Sequence, residues 1–270
     1  MIQNAEDNRY SDRKVPWLRF YLKQDRIEID SNEDGFSEEN IKAICSIGES
    51  TKKSRQGYVG EKGIGFKSVF KVAQRVHVQS EPFSFAFEYR REDRDDGLGM
   101  ITPLSVKHLD LPQRVQTRIV LHLLDDCDRE ALREELVNLP DTLLLFLRKL
   151  RTLDVRVKLS GQPAVNYHYR LDKEIDDRVS ITKQVVIEGS PKTTSTRFYW
   201  ITKQVVHNMP KDEARDDISK AEVILAFPLD ENNAPIVEEQ HVYAFLPLRK
   251  AGYKVQPLNL FTACMPANAA

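Results

Sequence analysis

The densest chemistry-bearing run in this chain is Gly60-Glu61-Lys62-Gly63-Ile64-Gly65-Phe66-Lys67-Ser68, a glycine cluster that opens into a helix-compatible stretch over 66–73. Glycines let main chain approach an anion closely and adopt positive φ. The first turn of a helix adds unpaired N–H groups and the positive end of its dipole. Such a junction suits a phosphate. Its spacing, GxxGxG, is neither a Walker loop, which needs Gly-Lys-Ser/Thr in succession, nor the dinucleotide fingerprint GxGxxG. Taken alone, a plain structural turn accounts for the same residues.

The elements that must position this junction can be read around it. Residues 17–22 and 26–30 are two short strand-like runs split by Lys23-Gln24-Asp25, a hairpin pattern. Ser37 then signals a helix start, with Glu38 and Glu39 in the first turn and Ile41, Ile44 and Cys45 on one face before Gly48. From 48 to 63 the chain turns mostly to Ser, Thr, Lys, Gly and Gln, a polar loop longer than compact domains keep without use, and it reads as a lid. The pattern predicts a helix over 66–73, a strand over 75–79 and a strand pair at 84–90 and 118–124. Two more helices are predicted at 128–137 and 141–150, divided by Pro140, with Asp141 as an N-cap. Beyond Leu153 β patterns dominate, and Ile-Thr-Lys-Gln-Val-Val occurs at 181–186 and again at 201–206, as neighbouring strands of a meander would.

Bulk properties bound what the site can serve. The chain has 270 residues, enough for an apolar core and for one large or two small domains. Lys plus Arg (40) nearly cancel Asp plus Glu (41), so no overall field favours nucleic acid or an anionic membrane, and any anion site is local. Cys45, Cys127 and Cys264 stand far apart with no CxxC spacing, which fits a reducing compartment and excludes a zinc knuckle, with Cys45 a core candidate. No secretion signal and no long apolar run is present. The expectation is an intracellular protein, cytoplasmic or nuclear. Ile2, Gln3 and Ala5 follow Met1 with no capping residue ahead, as if the chain entered in mid-helix.

Four segments in order resemble the GHKL (Bergerat-fold) ATPase class. Residues 2–8, Ile-Gln-Asn-Ala-Glu-Asp-Asn, resemble its first motif, in which a helical Asn coordinates magnesium and a nearby acid faces the nucleotide. Asn4 is the matching Asn, Asp7 lies one turn along and Asn8 follows; Mg2+ accepts one protein oxygen alongside phosphates and water. Residues 29–37, Ile-Asp-Ser-Asn-Glu-Asp-Gly-Phe-Ser, resemble the turn where the class has an adenine-reading Asp and then DxGxG. Here Gly35 matches the second glycine, Glu33 replaces the first, and Ser31 or Asn32 takes the reading position, an Asn amide being both donor and acceptor. Gly60, Gly63 and Gly65 match the class's GxxGxG, with Lys62, Ile64 and Phe66 beside the phosphates and Lys52, Lys53 and Arg55 in a lid-like loop. Residues 117–123, Thr-Arg-Ile-Val-Leu-His-Leu, resemble the chaperones' GTxxxLHL strand, with Thr117 supporting the adenine site and Gln116 in place of Gly. His122 there reads as structural.

Residues 35–52 and 57–70 look most like the large proteins related to NO VEIN and sacsin within that class, and 243–249, Tyr-Ala-Phe-Leu-Pro-Leu-Arg, is similar to a segment they carry later. The resemblance implies an α+β fold, an α/β sandwich whose mixed, mostly antiparallel sheet is covered by helices on one face. It places an ATP-binding domain, truncated at its start, at 1–153 and an incomplete β-rich segment at 154–270. The implied ligands are ATP and Mg2+, with a protein client or partner as the target of a nucleotide-driven conformational switch. The class's general-base Glu, four residues before the motif Asn, would fall upstream of Met1, so ATP binding is a firmer expectation than turnover. The alternative is a nucleotide-independent interaction scaffold that keeps the fold. A histidine kinase is disfavoured, since no segment presents an acceptor His on a dimerising helix pair.

Overall fold

Alternation of apolar and polar residues builds the centre of the molecule. In the computed structural model, which describes residues 1–45, 66–89, 102–173, 177–207, 220–237, 239–244 and 246–254, strand β1 (Trp17–Lys23) buries Leu18, Phe20 and Leu22 at every second position. Gln24 and Asp25 turn it into β2 (Arg26–Ser31), which buries Ile27 and Ile29 and pairs antiparallel from Leu22↔Ile27 to Leu18↔Ser31. The predicted hairpin is present.

Outward from β2 the sheet continues antiparallel through β6 (Thr117–Leu123), β3 (Ala73–Ser80), β4 (Phe83–Glu88) and β5 (Leu104–Ser105). On its other side β1 lies parallel to β7 (Thr152–Lys158), followed antiparallel by β8 (Val165–Lys173), β9 (Arg178–Ile187), β10 (Thr193–His207) and β11 (Lys220–Leu229). The result is one 11-stranded sheet, with β12 (Glu239–Ala244) and β13 (Leu246–Lys254) as a separate two-stranded sheet.

Helical pieces are few and short: α1 (Ile2–Asp7), α2 (Glu38–Cys45), α3 (Arg129–Val137), and 3-10 turns at Lys67–Lys71 and Asp141–Phe146. They share one core with the sheet. Ala5, Val69, Phe70, Leu143, Leu144, Leu147 and Leu150 pack with Leu18, Phe20, Ile29, Val76, Ile119, Leu121 and Val155, while Ile41, Ile44, Cys45, Leu132 and Leu136 close over it. Alternate positions of the same strands carry charge on the opposite face, including Lys23–Glu28, Arg75–Glu88 and Arg19–Asp154. Among the described residues no helix is long and apolar enough to cross a membrane.

The mixed, mostly antiparallel sheet agrees with the expected class, but it is more extensive than a small sandwich. Strands β7 to β11 continue the sheet from β1. Three local expectations also change. Where a helix was expected over 66–73 there is a 3-10 turn at Lys67–Lys71, because Ala73 already belongs to β3, where both it and Val76 are fully buried. Residues 141–150 are a turn rather than a helix, since the Asp141 carboxylate pairs with Lys183 at 2.8 Å instead of capping and Leu147 is extended. β4 and β6 are not partners, because β3 runs between them. The two Ile-Thr-Lys-Gln-Val-Val copies do lie on adjacent strands, yet in staggered register: Ile181 faces Arg197, whereas Ile201 faces Ala226 of β11.

Candidate functional site

Three expected segments meet at one end of the sheet: the end of α1, the turn after β2 and the start of β6. Ser31, the last residue of β2, faces Thr117, the first of β6, and its carbonyl accepts from the Gln116 N–H at 3.0 Å. One step back in that register Asp30 accepts from Arg118 through both carboxylate oxygens, at 2.7 and 2.8 Å. This bidentate pair, nearly out of water, fixes the two strand ends relative to one another.

After Ser31 the chain turns sharply. Gly35 has φ +92, and a Cβ there would lie 3.3 Å from the Glu81 carbonyl, so a glycine is required by both conformation and space. The turn lets the Phe36 N–H donate to Ser80 Oγ at 2.8 Å, and Ser80 Oγ lies 2.6 Å from Thr117 Oγ1. Thr117 and Asn8 side chains in turn hydrogen-bond the carboxylate of Glu33. Directions follow from donor counts: with Phe36 donating to Ser80 and Thr117 donating to a carboxylate, the Ser80 hydroxyl donates to Thr117. The relay therefore runs Phe36 N–H, Ser80, Thr117, Glu33, and ends on a carboxylate.

Glu33 is 1% exposed, and its Oε1 has no hydrogen-bond partner. Burial, with Asp34 beside it, raises its pKa to about 7, against the opposing pull of Thr117, Lys14 and Asn8. A buried carboxylate with one orphaned oxygen is costly unless something supplies a proton or a donor. Sequence reading treated Glu33 as a misplaced glycine and missed it. The signal was legible: an acid directly before Asp34-Gly35, two residues past the end of a strand whose partner begins with Thr117.

Around this cluster the main chain is clamped. Asn32 Oδ1 accepts from the Trp17 N–H and its Nδ2 donates to the Val15 carbonyl, both at 2.9 Å. The amide expected to read a base is thus committed to residues 15–17. Asp34 accepts from the Ser11 N–H, the Ser11 hydroxyl and Lys14, and these bonds hold its carboxyl below the usual range. Tyr10 donates to the Ala5 carbonyl at 2.9 Å, and burial near Glu33 pushes its phenol well up. Beside the clamp lies a cleft of about 510 Å³ lined by Arg9, Tyr10, Ser11, Asp12, Lys14, Pro16, Asp34 and Lys149.

Within α1, Asn4 is half-buried and shares a helix face with the buried Asp7 three residues on, while Asn8 caps the helix in extended backbone. Glu6 points elsewhere. Its carboxylate accepts from the N–H groups of Arg148, Lys149 and Leu150, at 2.5, 2.8 and 3.1 Å. Gly60, Lys62, Gly63, Ile64 and Gly65 lie outside the described residues, as do Lys52, Lys53 and Arg55. Phe66 is described and packs edge-on to Phe87, with ring centroids 6.1 Å apart. His122 is half-buried on β6 and its pKa is lowered by burial and then by Arg75 and Arg26, in keeping with a structural role.

No family model matches the chain. Among solved structures it overlaps the N-terminal domain of a DNA repair protein at TM-score 0.34, over 68% of this chain and 62% of that one, with 11% identity. It overlaps the B-subunit of DNA gyrase from Myxococcus xanthus at TM-score 0.35, over 63% and 56%, again with 11% identity. Overlaps this loose do not define the fold, which rests on the strand order above. The sequence match is closer: over 94% of its length the chain is a homologue, at 32% identity, of a stretch that makes up 10% of Protein NO VEIN of Arabidopsis thaliana.

Proposed function

We propose that the chain is an Mg-ATP-binding module of the GHKL type that acts as a nucleotide-driven conformational switch on a protein partner. The observation that carries this reading is the buried relay from Phe36 through Ser80 and Thr117 to Glu33 and Asn8. It gathers three of the four resembling segments at one end of one sheet and leaves a carboxylate oxygen without a donor. A structural turn alone has no use for that oxygen; a ligand N–H does.

In this reading Asn4 would supply an amide oxygen to Mg2+, with Asp7 on the same helix face and Asn8 at the helix end beside the nucleotide. Bound Mg-ATP supplies a polarised phosphoanhydride. Thr117 and Gly35 hold the base end, and Gly60, Lys62, Gly63, Ile64, Gly65 and Phe66 serve the phosphates on sequence grounds. Glu6 is engaged by three main-chain N–H groups and is therefore not a base for water. This supports binding and a shift in conformation rather than turnover.

The test is a titration with Mg-ATP of the wild type, Asn4→Ala and Gly63→Val. The reading expects binding by the wild type and a loss of about tenfold or more in each variant, since each removes an interaction worth about 1–3 kcal/mol. Equal binding by all three proteins refutes the site. The rival scaffold reading draws support from the Asn32 amide, which is committed to the main chain. An unchanged proteolysis pattern with and without Mg-ATP would favour it.

A further inference from the structure

We propose that the outer face of the sheet, around Tyr21 on β1 and Arg156 on β7, is a binding platform for single-stranded nucleic acid. Lys23, Arg156 and Lys158 take its phosphates, and its bases stack on guanidinium groups held over aromatic rings. This goes beyond the Mg-ATP reading and does not rest on it, because α1, which carries Asn4, packs through Ala5 against the opposite face.

Strand alternation decides which side chains share this face. Leu18, Phe20 and Leu22 of β1 and Leu153, Val155 and Val157 of β7 are buried in the core, so Trp17, Arg19, Tyr21 and Lys23 project the other way, beside Arg156 and Lys158. The parallel register sets Tyr21 next to Arg156 and Lys23 next to Lys158. Arg156 is exposed; its Cζ lies 5.2 Å from the centre of the Tyr21 ring, and its Nε donates to Asn166 Oδ1 at 2.6 Å. Ring and amide together fix the guanidinium from two neighbouring strands and leave its terminal N–H groups for a ligand. Arg19 repeats the arrangement two residues back, with Cζ 5.1 Å from the centre of the Trp17 ring.

Charge at this corner is one-sided. Lys23 and Lys158 face each other across the β1–β7 register, and like charges so placed cost stability unless an anion joins them. Glu28 is bonded to Lys23 and to Arg26, and Asp25 also takes Arg26, while Arg156 and Lys158 have no acidic partner among the described residues. Lys23, Arg26, Arg156 and Lys158 thus stand against Asp25 and Glu28 in a chain whose net charge is −1. Such a local excess attracts a polyanion. The cation–ring pairs decide which one: bases stack on aromatic and guanidinium planes, whereas an acidic peptide uses the charge alone. A duplex fits poorly, since its major groove admits a helix or a two-stranded ribbon and not a broad sheet face.

The experiment is fluorescence anisotropy with the whole chain, free of ATP and Mg2+, and four labelled probes: oligodeoxythymidine and oligouridine of about 12 nucleotides, an abasic strand of the same length, and poly-glutamate. We expect both oligonucleotides to bind, the tighter one naming DNA or RNA as the source. Log K should fall against log salt with a slope of about −2, from three phosphate contacts at roughly −0.7 each. The abasic strand and poly-glutamate should bind about tenfold weaker or less, since stacking is lost. Arg156→Gln and Lys158→Glu, both at exposed positions and checked for folding by circular dichroism, should each weaken oligonucleotide binding about fivefold or more, with a shallower salt slope. Equal affinity for the abasic strand would overturn the base platform, and equal affinity for poly-glutamate would overturn it in favour of an acidic protein segment. Absence of binding by the folded wild type, or wild-type affinity in both variants, would overturn the inference outright. Since no arm contains Mg-ATP, each of these outcomes leaves the nucleotide reading to its own titration.

Discussion

Arg118 holds Asp30 by two parallel bonds, Nε to Oδ1 at 2.7 Å and Nη2 to Oδ2 at 2.8 Å, directly across the β2–β6 register. The next pair along is Ser31 and Thr117, so the ion pair sets where the relay to Glu33 begins. Arg118→Ala would leave a buried carboxylate alone and should cost about 3–5 kcal/mol in urea unfolding. Arg118→Lys should recover only part of it, because an ammonium cannot reproduce the planar two-bond fork. A loss below about 1 kcal/mol in Arg118→Ala would show that the pair does not organise the strand ends.

Glu6 ties α1 to the segment just before β7 by accepting three successive N–H groups. Glu6→Ala should destabilise the chain by about 2–4 kcal/mol, since charge-assisted bonds are lost and buried donors are left unmet. Hydrogen exchange localises the effect: the amides of Arg148, Lys149 and Leu150 should exchange faster, while those of β3 and β4 change little. Uniform acceleration across the sheet would contradict a local tie.

At the turn, Gly35→Ala places a Cβ against the Glu81 carbonyl at a φ of +92 and should cost about 1–2 kcal/mol. Asn32→Ala should cost a similar amount by stripping two main-chain bonds at residues 15 and 17. Thermal melts of both variants check this. Stability equal to wild type in Asn32→Ala would release its amide for a ligand role.

Glu33 also makes stability depend on pH. Its folded-state pKa of about 7 lies above the ordinary 4.5, so the folded chain holds this proton more tightly than the unfolded chain. The stabilisation is complete below the ordinary value, falls as pH rises through the interval up to about 7, and is absent above it. The full swing is about 3 kcal/mol. Urea unfolding of wild type and Glu33→Gln between about pH 5 and about pH 8 should therefore show the wild type losing stability relative to the variant, with the gap levelling off above pH 7. Parallel curves would mean the carboxylate is ionised in the folded chain.

Strand alternation in Leu18-Arg19-Phe20-Tyr21-Leu22, the helix expected over 128–137 and the Ser37 start of α2 were legible because each depends on neighbours within a few residues. What sequence could not show is set by distant partners. Lys183 draws Asp141 away from capping a helix, and β7 selects β1 as its neighbour across half the chain. At the site, Asn32 looked suited to read a base because an amide can both donate and accept; only the path of residues 15–17 shows where those groups are used. Glu33 was passed over because matching it to a glycine hid the buried position that gives a carboxylate its chemistry there.

The junction of β1 with β7 is the parallel seam in an otherwise antiparallel series of described strands. A piece ending near Leu150 would strip β1 of its outer neighbour and lay bare seven residues of hydrogen-bonding edge, flanked by Leu18, Phe20 and Leu22. Such a rim recruits other chains. Trimming the protein to its ligand-bearing half should therefore yield material that clumps, whatever the state of its binding groups, and an inactive short fragment would say nothing about their chemistry.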